Sequence, residues 1–353
     1  MIREINRSFW EDRRVLVTGG ASFIGSHLVD KLAELGVQIT VVDNLSSGRI
    51  ENLKEALRTG RVKLVKKDLE WVPRYEGIKI FKDHSIVFHL AAIHGGRGFI
   101  HTHPADVCSN LVIDHKVLEL SLLTDVEKVV YASSACVYPP KLQKEIGSKR
   151  LLSEQDSDPW KINDYLSADE EYGWCKLMGE VQLIAFYKQY GLKGVPLRFV
   201  TVYGPRENET HAIIALIYKA YERMDPYVVW GSGEQERDFT YVSDIVDGML
   251  LAAEKIDKPI PINLGTGIKY KIKDVVEMIF KIMNWRPRKI IYDTSKPVGV
   301  LSRGLDITRA RELLDYEPKV TLEEGLRRTI EWYIRTHKRT GKVDERKLFE
   351  RHV

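Results

Sequence analysis

The segment that decides the fold is RRVLVTGGASFIGSHLVDKLAELG, residues 13–36. It begins with an apolar run rich in β-branched residues, which is typical of a buried strand. A glycine-rich turn follows, and then the apolar spacing of a helix that closes at Gly36. The next run, VQITVVDN at 37–44, reads as a second strand. This succession predicts a βαβ unit, the beginning of a parallel sheet with helices on its faces.

The same alternation of strands and helices continues to about residue 200. The further strand candidates are RVKLVKKDL (61–69), SIVFHLAA (85–92), VEKVVYASS (126–134) and GVPLRFVTVYGP (194–205). Because these runs are mostly apolar and helical patterns separate several of them, we predict an α/β fold with a Rossmann-type doubly wound parallel sheet. After residue 200 the alternation is less regular, which indicates a smaller C-terminal lobe interleaved with the first.

The composition is that of a globular chain. Of the 353 residues, 44% are hydrophobic and 29% are charged, and the formal net charge is +4. We therefore expect neither nucleic acid nor a membrane as a partner. No segment approaches the roughly 18 consecutive apolar residues of a membrane span, and the charged N-terminus is unlike a signal peptide. Cys108, Cys136 and Cys175 have no CxxC spacing, so we predict a cytoplasmic protein without a metal site.

The turn after the first strand has the spacing of a dinucleotide-binding motif. Gly19, Ser22 and Gly25 occupy a GxxGxxG frame, in which glycines let the backbone approach a pyrophosphate at a helix N-terminus. Asp43 ends the second strand, 18 residues after Gly25, where a carboxylate accepts from both ribose hydroxyls and repels a 2′-phosphate. This predicts NAD rather than NADP. Ser22 departs from the motif, and its side chain either crowds the phosphates or binds them through its hydroxyl.

The segment EYGWCK carries a candidate catalytic pair. Tyr172 and Lys176 are four residues apart, so they lie on one face of a helix. A tyrosine with its ordinary pKa of about 10 is a poor base at neutral pH. A lysine ammonium and a positive nicotinamide ring are expected to stabilise the phenolate and to lower that pKa. The same spacing recurs at Tyr75 and Lys79, so the spacing alone is a weak signal and its context has to decide.

Together these segments resemble the extended short-chain dehydrogenase/reductase family, the NAD-dependent nucleotide-sugar epimerases and dehydratases. The resemblance extends from about residue 13 to 335. The segments that carry it are TGGASFIGSHL, VVDNLSSG, the pair Asp68–Leu69, HLAA, YASSACVYP, YGWCK, LRFVTVYGPR, RDFTYVSDI and INLGTG. The expected organisation is an NAD-binding Rossmann domain (1–200 and about 238–262), a nucleotide-sugar-binding lobe (201–237 and 263–335) and a charged C-terminal helix or tail (336–353).

The resemblance implies a role for each matching residue. Tyr172 is the expected base for the hydroxyl on carbon 4 of the sugar, Ser134 hydrogen-bonds that hydroxyl, and Lys176 also holds the nicotinamide ribose. The residues expected at the cofactor are Gly19, Ser22, Phe23, Ile24, Gly25, Asp43, Asn44, Asp68, Leu69, Leu90, Ala91 and Ala92, with Tyr172 and Lys176. Helices near 107–123 and 168–190 commonly pair across a two-fold axis in this family, so a homodimer is expected.

Cys136 separates branches of the family. Members that perform 4,6-dehydration carry Asp-Glu directly after the serine or threonine, where this chain has Ala135 and Cys136. The segment SSACVYP is similar to GDP-mannose 3,5-epimerases and GDP-fucose synthases, which use the cysteine with a lysine or histidine located after the YGP strand. His211 matches that second position. A ketone at carbon 4 acidifies the hydrogens on carbons 3 and 5, and thiol and imidazole groups suit both removal and return of those protons.

Other matching positions are expected to hold the substrate. AAIHGGRGFI, residues 91–100, resembles AADMGGMGFI of the plant 3,5-epimerases, and two arginines are expected on the diphosphate because the guanidinium fork suits its oxygens. One residue departs from the relatives, which have an asparagine in place of Thr201, so sugar recognition is expected to differ. The full set of substrate-binding candidates is Gly95, Gly96, Arg97, Ser134, Thr201, Arg237 and Arg303.

The leading prediction is an NAD-dependent nucleotide-sugar epimerase, with GDP-mannose 3,5-epimerisation as the first choice and a GDP-hexose as the favoured substrate. The alternative is a 4-epimerase of the UDP-glucose/UDP-galactose type, in which Cys136 is not catalytic. A reductase like GDP-fucose synthase fits less well, because Asp43 argues against NADPH as a consumed reductant. A non-catalytic NAD-binding sensor is a further alternative, which the presence of both Tyr172 and Lys176 opposes.

Overall fold

One parallel sheet forms the centre of the molecule. The computed structural model describes residues 5–161 and 167–337. Its strands are β1 (Arg14–Thr18), β2 (Gln38–Asp43), β3 (Val62–Lys66), β4 (Ile86–His89), β5 (Lys128–Ser134), β6 (Lys193–Phe199), β7 (Thr201–Tyr203), β8 (Tyr227–Trp230), β9 (Glu236–Tyr241), β10 (Ile262–Leu264), β11 (Lys269–Lys271), β12 (Ile290–Asp293) and β13 (Ser302–Arg303). Seven of these form the sheet, in the order β10–β6–β5–β4–β1–β2–β3, with all pairs parallel. The predicted Rossmann-type sheet is confirmed.

Helices cover both faces of this sheet. They are α1 (Arg7–Trp10), α2 (Phe23–Glu34), α3 (Lys54–Arg58), α4 (Arg74–Phe81), α5 (Arg97–Thr102), α6 (Pro104–Cys108), α7 (Asn110–Leu123), α8 (Glu170–Tyr190), α9 (Ala212–Tyr221), α10 (Val242–Lys255), α11 (Ile272–Met283), α12 (Thr308–Leu314) and α13 (Leu322–Thr336). Short 3₁₀ helices lie at Ile50–Leu53, Ala135–Val137, Pro140–Gln143 and Glu154–Ser157. Helices α2 and α10 pack together, as do α7 and α8.

The first strand shows why the sheet is buried on both sides. Val15, Leu16 and Val17 are all fully buried. Val15 and Val17 belong to one apolar core, which includes residues of α2 and α10, whereas Leu16 belongs to a second core that includes residues of α7. Successive side chains of a strand point to opposite faces. A strand covered on both faces therefore needs an uninterrupted apolar run, which is the pattern that identified it in the sequence.

The parallel arrangement brings the candidate functional residues to one edge of the sheet. Gly19 follows β1, Asp43 ends β2, Leu90 follows β4 and Ser134 ends β5. Because all these strands are parallel and adjacent, their carboxyl ends lie side by side. Ligands of doubly wound folds bind at this edge.

Two smaller sheets are formed by strands that follow β6 in the chain. In one, β9 pairs with β7, β11 and β13, and in the other β8 pairs with β12. Strand β9 spans the domain boundary predicted at 238, and β10 of the large sheet extends past the one predicted at 262. The exact division of the chain into lobes stays a prediction.

Within the described ranges, no helix combines the length and the apolar character needed to cross a membrane. The same residues contain no group of three or more His, Cys, Asp or Glu side chains arranged to hold a metal ion. The predicted charged tail, 336–353, lies outside the described residues except for its first two.

Candidate active site

The glycine-rich turn is packed too closely for side chains. Gly19 has a φ of +69°, and a Cβ there would lie 2.8 Å from the amide nitrogen of Ala91. A Cβ on Gly25 would collide with the carbonyl oxygen of Gly19. Ser22 is the N-cap of α2, and its Oγ lies 3.3 Å from the Oγ of Ser47. The bare backbone at the start of α2 fits the pyrophosphate of a dinucleotide.

Asp43 lies beside this turn, as predicted for a ribose ligand. Its Oδ2 accepts a hydrogen bond from the amide of Ala21 at 2.9 Å, and its Oδ1 accepts one from the amide of Leu45 at 2.8 Å. Burial raises the pKa of Asp43, while these two amides act in the opposite direction. Each carboxylate oxygen has a second acceptor position, so ribose hydroxyls can still be bound.

The other cofactor candidates lie around the same edge. The Asn44 side chain donates to Asp68 Oδ2 at 3.0 Å, which joins the segments after β2 and β3. Leu69 is buried, and Phe23 and Ile24 form the first turn of α2. The amides of Leu90 and Ala91, which precede Ala92, donate to the Oγ1 of Thr18 at 3.2 Å. The residues present therefore fit a dinucleotide along this edge.

A buried polar chain, which sequence reasoning missed, extends from this edge to α8. Thr18 Oγ1 lies 2.8 Å from His89 Nδ1, and His89 Nε2 lies 2.9 Å from Asp114 Oδ1. The Tyr131 hydroxyl donates to Asp114 Oδ2 at 2.6 Å. The Nζ of Lys176 lies 4.8 Å from the centre of the Tyr131 ring. Burial lowers the pKa of Lys176, and the Asp114 carboxylate opposes that effect.

Tyr172 and Lys176 share one face of α8, and the Lys176 Nζ lies 5.9 Å from the centre of the Tyr172 ring. Sequence reasoning expected a lowered tyrosine pKa. In the protein alone, burial instead raises the pKa of Tyr172, and the nearby Cys136 thiol adds to this. Burial thus opposes ionisation of Tyr172, whereas positive charge beside the ring favours it.

The end of β5 brings Ser134 and Cys136 to Tyr172. The Ser134 Oγ accepts a hydrogen bond from the Cys136 amide at 3.1 Å, so the hydroxyl proton is left to donate elsewhere. The Cys136 carbonyl accepts from the Asp169 amide at 2.8 Å, just before α8 begins. A Cβ on Gly173 would collide with the same carbonyl. Glycine at this position allows α8 to approach Cys136, and Tyr172 is carried with it.

Three arginines meet beside this cysteine. Arg97 makes a bidentate contact with Asp169, at 2.7 and 3.1 Å, and Arg303 donates to the same carboxylate at 2.6 Å. Arg303 also donates to Cys136 Sγ at 3.4 Å. Burial alone would raise the pKa of Asp169, but the two guanidinium groups outweigh it and lower the pKa to about 2. Sequence reasoning missed Asp169, which lies 72 and 134 residues from its two partners.

Arg237 is the third member of this group. It donates to the carbonyl oxygens of Glu236 and Val298, at 2.8 and 2.7 Å. Burial lowers the pKa of Arg237 to about 9, and repulsion from Arg303 and Arg97 acts in the same direction. Three arginines beside two carboxylates, Asp169 and Glu170, make a positive surface that favours an anionic group.

The remaining substrate candidates are Gly95, Gly96 and Thr201. A Cβ on Gly96 would lie 2.7 Å from the Thr210 carbonyl oxygen, so the loop that carries Gly95 and Gly96 touches the segment that carries His211. Gly95 packs against Phe99. Thr201 begins β7 and is opposite Phe239 of β9.

His211 and a histidine that sequence reasoning missed lie together. The rings of His94 and His211 are 6.1 Å apart between centres. His211 also contacts Glu207, with 3.0 Å between Nδ1 and Oε1. The surrounding protein lowers the pKa of His94, and the positive charges of His211 and Lys176 add to this. His94 is therefore close enough to both His211 and Lys176 for their charges to affect it.

Comparison with known proteins identifies the class. Residues 15–265 match the NAD dependent epimerase/dehydratase family. A putative UDP-glucose 4-epimerase of Methanocaldococcus jannaschii is 32% identical, over 90% of this chain and 97% of that protein. GDP-mannose 3,5-epimerase 1 of Oryza sativa subsp. indica is 31% identical, over 92% and 83%. The crystal structure of UDP-glucose 4-epimerase from Thermotoga maritima with UDP-glucose has a TM-score of 0.80 and 32% identity, and the match covers 92% of this chain and 99% of that one.

The protein belongs to the NAD-dependent epimerase/dehydratase family. Its predicted identity as an enzyme of this family and its predicted cofactor, NAD, are confirmed. The relatives include enzymes named for UDP-sugars and others named for GDP-mannose, at nearly equal identity. The family match therefore establishes an enzyme of the nucleotide-sugar class. It does not identify the particular sugar.

Proposed function

We propose that this enzyme is a nucleotide-sugar 3,5-epimerase that acts on GDP-mannose through a transient ketone at carbon 4. The observation that carries the proposal is the place of Cys136. Its side chain is partly exposed, and its Sγ accepts a hydrogen bond from Arg303 at 3.4 Å. A cysteine that only filled the core would be enclosed like Cys175, which is 2% exposed.

Ser134 and Tyr172 begin the reaction in this proposal. The Ser134 hydroxyl, which already accepts from the Cys136 amide, donates to the oxygen on carbon 4. Tyr172 takes the hydroxyl proton from that oxygen as carbon 4 is oxidised. Bound NAD supplies the reversible oxidation of carbon 4 and the positive charge that Tyr172 needs to ionise. Lys176 orients the cofactor ribose and adds to that charge.

Cys136 and His211 exchange the protons. The ketone makes the hydrogens on carbons 3 and 5 acidic, so one group removes a proton from one face and the other returns a proton to the opposite face. The proton that Tyr172 holds returns to the oxygen when the ketone is reduced. The sugar is inverted with no net oxidation or reduction.

The positive surface holds the rest of the substrate. We assign Arg237 and Arg303 to the diphosphate, since a guanidinium matches phosphate oxygens in two-point contacts. Gly95 and Gly96 place backbone against the hexose, and Arg97 and Thr201 adjust its recognition. We assign NAD to the β1–α2 turn and Asp43, with the other cofactor candidates described above, and the nucleotide sugar to the C-terminal lobe.

The test uses purified enzyme with GDP-mannose in heavy water, followed by NMR and mass spectrometry. Deuterium at carbons 3 and 5, with new hexose signals, is the expected result. Cys136→Ser should abolish this exchange, and Cys108→Ser, which changes an exposed cysteine outside the site, should not. Absence of deuterium from GDP-mannose with wild-type enzyme would overturn the proposal.

A UDP-sugar 4-epimerase is the second candidate. The observation in its favour is that Ser134, Tyr172 and Lys176 together suffice for inversion at carbon 4, and that several similar proteins carry this name. Inversion at carbon 4 of UDP-glucose without deuterium incorporation, unchanged in Cys136→Ser, would establish this activity in place of the first.

We also propose a homodimer formed through α7 and α8. These two helices pack side by side, and the apolar side chains that they expose to solvent include Leu111, Val112, Trp174 and Met178. Val112 is 50% exposed and Trp174 43%, which is unusual for apolar residues on neighbouring helices. Sedimentation velocity should give a dimer, and Met178→Arg should shift it towards the monomer. A monomeric wild-type protein would contradict this.

A cytoplasmic location is the accompanying proposal. Its support is that Cys108, Cys136 and Cys175 are all free thiols, as expected for a reducing compartment. Fractionation of the source cells would test it, and recovery in the secreted or membrane fraction would contradict it.

A further inference from the structure

The segment between β7 and α9 contains a buried carboxylate that the reaction described above does not use. The side chain of Glu207 is 2% exposed, and its Oε1 lies 3.0 Å from Nδ1 of His211. His211 is the N-cap of α9, and its side chain is 26% exposed, so one side of the imidazole faces Glu207 and another remains accessible. A buried carboxylate is stable only when it is paired or hydrogen-bonded, and His211 is the side chain that does this here.

The contact decides which ring nitrogen carries the proton. An ionised carboxylate can only accept hydrogen bonds. While Glu207 is ionised, His211 presents Nδ1–H to it, which leaves Nε2 as the lone-pair nitrogen of the neutral ring. Burial raises the pKa of Glu207, and the hydrogen bond and charge of His211 oppose that rise. His211 thus favours the ionised form of Glu207.

His94 lies beside His211, with its ring centre 6.1 Å from that of His211 and the two ring planes inclined by 38°. The loop that carries Gly95 and Gly96 follows His94 and touches the segment of His211. A Cβ on Gly96 would lie only 2.7 Å from the Thr210 carbonyl oxygen. The imidazole whose Nε2 is left free by Glu207 therefore lies beside the loop that carries the substrate candidates Gly95 and Gly96.

Contacts on two sides hold this segment in place. Arg206 Nη1 lies 2.8 Å from Asp30 Oδ2 on α2, and His27 Nε2 lies 2.9 Å from the Pro205 carbonyl oxygen. On the other side the Tyr333 hydroxyl donates to Glu209 Oε1 at 3.2 Å. A segment tied to both α2 and α13 presents its histidine in one orientation, as acid–base chemistry requires.

We propose that Glu207 is a positioning residue that fixes the Nδ1–H tautomer of His211, so that Nε2 exchanges protons with the sugar. The inference concerns the same site as the proposed function. It rests on that function because it takes the exchanged proton to come from the sugar. When Nε2 takes a proton from carbon, the imidazolium is stabilised by the Glu207 carboxylate. When His211 is the donor, the same nitrogen gives its proton to the opposite face and returns to the neutral ring.

The direct test reads the tautomer without turnover. Protein with bound NAD and ¹⁵N-labelled histidine is examined by two-bond ¹H–¹⁵N NMR, with His211→Asn used to assign the signals. The wild type should show His211 protonated on Nδ1. Glu207→Gln should shift the population towards Nε2–H, because a side-chain amide can donate as well as accept. Glu209→Gln, on the same segment, should leave it unchanged. An Nε2–H tautomer in the wild type, or no change in Glu207→Gln, would overturn the inference.

The second readout separates positioning from folding. With nucleotide sugar in heavy water, Glu207→Gln should lower kcat about 10- to 100-fold, the range expected when acid–base help is weakened. The KM and the thermal midpoint of Glu207→Gln should stay close to the wild-type values. Glu207→Asp should have a higher kcat than Glu207→Gln, because it keeps a carboxylate. If kcat is unchanged, His211 does not exchange the proton and the inference fails even where epimerase activity stands. If the tautomer shifts as expected but no sugar exchanges deuterium, it is the proposed 3,5-epimerase function that fails.

Discussion

The backbone of Gly173 lies against the carbonyl oxygen of Cys136 so closely that no Cβ atom fits between them. This contact joins the catalytic helix α8 to the end of β5. It is strengthened on the same carbonyl by the Asp169 amide, which donates to it at 2.8 Å. Tyr172 is the neighbour of Gly173, so its distance from Cys136 and Ser134 depends on the contact.

Gly173→Ala should therefore displace α8 and impair both stability and turnover. The added methyl group meets backbone rather than a flexible side chain, and such overpacking costs about 1–3 kcal/mol. Chemical denaturation measures the loss, and steady-state assay measures the fall in kcat. Gly98→Ala is the stability control, because a Cβ there has nothing within 4 Å. Equal stability of the two variants would contradict the interpretation.

Tyr172→Phe should reduce turnover about 10²- to 10⁴-fold, since it removes the proposed proton acceptor for the carbon-4 hydroxyl. NAD binding should be nearly unchanged, which HPLC of released cofactor would measure. Tyr75→Phe is the matched control, because Tyr75 and Lys79 have the same spacing on exposed α4, with Lys79 Nζ 5.7 Å from the ring centre. Substantial residual turnover in Tyr172→Phe would show that another group accepts the proton.

Asp43→Asn should narrow the preference for NAD over NADP by at least about tenfold, because the amide no longer repels a 2′-phosphate. The ratio of the two dissociation constants, from isothermal titration calorimetry, is the quantity to measure. Asp68→Asn should weaken both cofactors alike, since Asp68 contacts Asn44 on the same edge but carries no proposed role at the 2′ position. An unchanged ratio in Asp43→Asn would remove Asp43 from cofactor selection.

Glu180→Gln should destabilise the protein by about 3–5 kcal/mol, because it leaves the buried Arg198 charge without its partner. Arg198 is 0% exposed and donates to both oxygens of Glu180, at 2.9 and 2.7 Å. The exposed pair Arg311–Glu317 provides the comparison, and Glu317→Gln should cost no more than about 1 kcal/mol. Denaturant titration measures both, and similar losses in the two variants would be inconsistent with this explanation.

The Asp169 bridge should give a pH-dependent contribution to stability. Its pKa is lowered to about 2, so the contribution is fully present above the unfolded value near pH 4 and is lost as the pH falls towards 2. At neutral pH the shift corresponds to about 2 kcal/mol. The difference in thermal midpoint between wild type and Asp169→Asn should be constant from pH 5 to 8 and shrink below pH 4. A difference that grows on acidification would contradict the sign.

Short-range patterns in the sequence determined the fold. The run from Val15 to Val17 is apolar because β1 is buried on both faces, and the glycines after it have little room for side chains. The four-residue spacing of Tyr172 and Lys176 follows from helix geometry, which is a local property. These features repeat along the backbone with fixed periods, so they can be identified without knowing what packs against them. Six of the seven strands of the large sheet were predictable on that basis, whereas β10 was missed and the run 194–205 proved to contain both β6 and β7.

Only the tertiary structure decided the electrostatics of the site. Asp169 meets Arg97 and Arg303 across separations of 72 and 134 residues, and His89 meets Asp114 across 25. No local period marks such pairs, because they depend on how whole elements pack. The same applies to the tyrosine: the sequence suggested a pKa lowered by Lys176 together with a nicotinamide charge, and only the fold shows that burial of Tyr172 in the protein alone acts to raise it. Desolvation and charge act through space. The pKa values of the site residues therefore depend on residues far apart in the sequence, which a local pattern does not reveal.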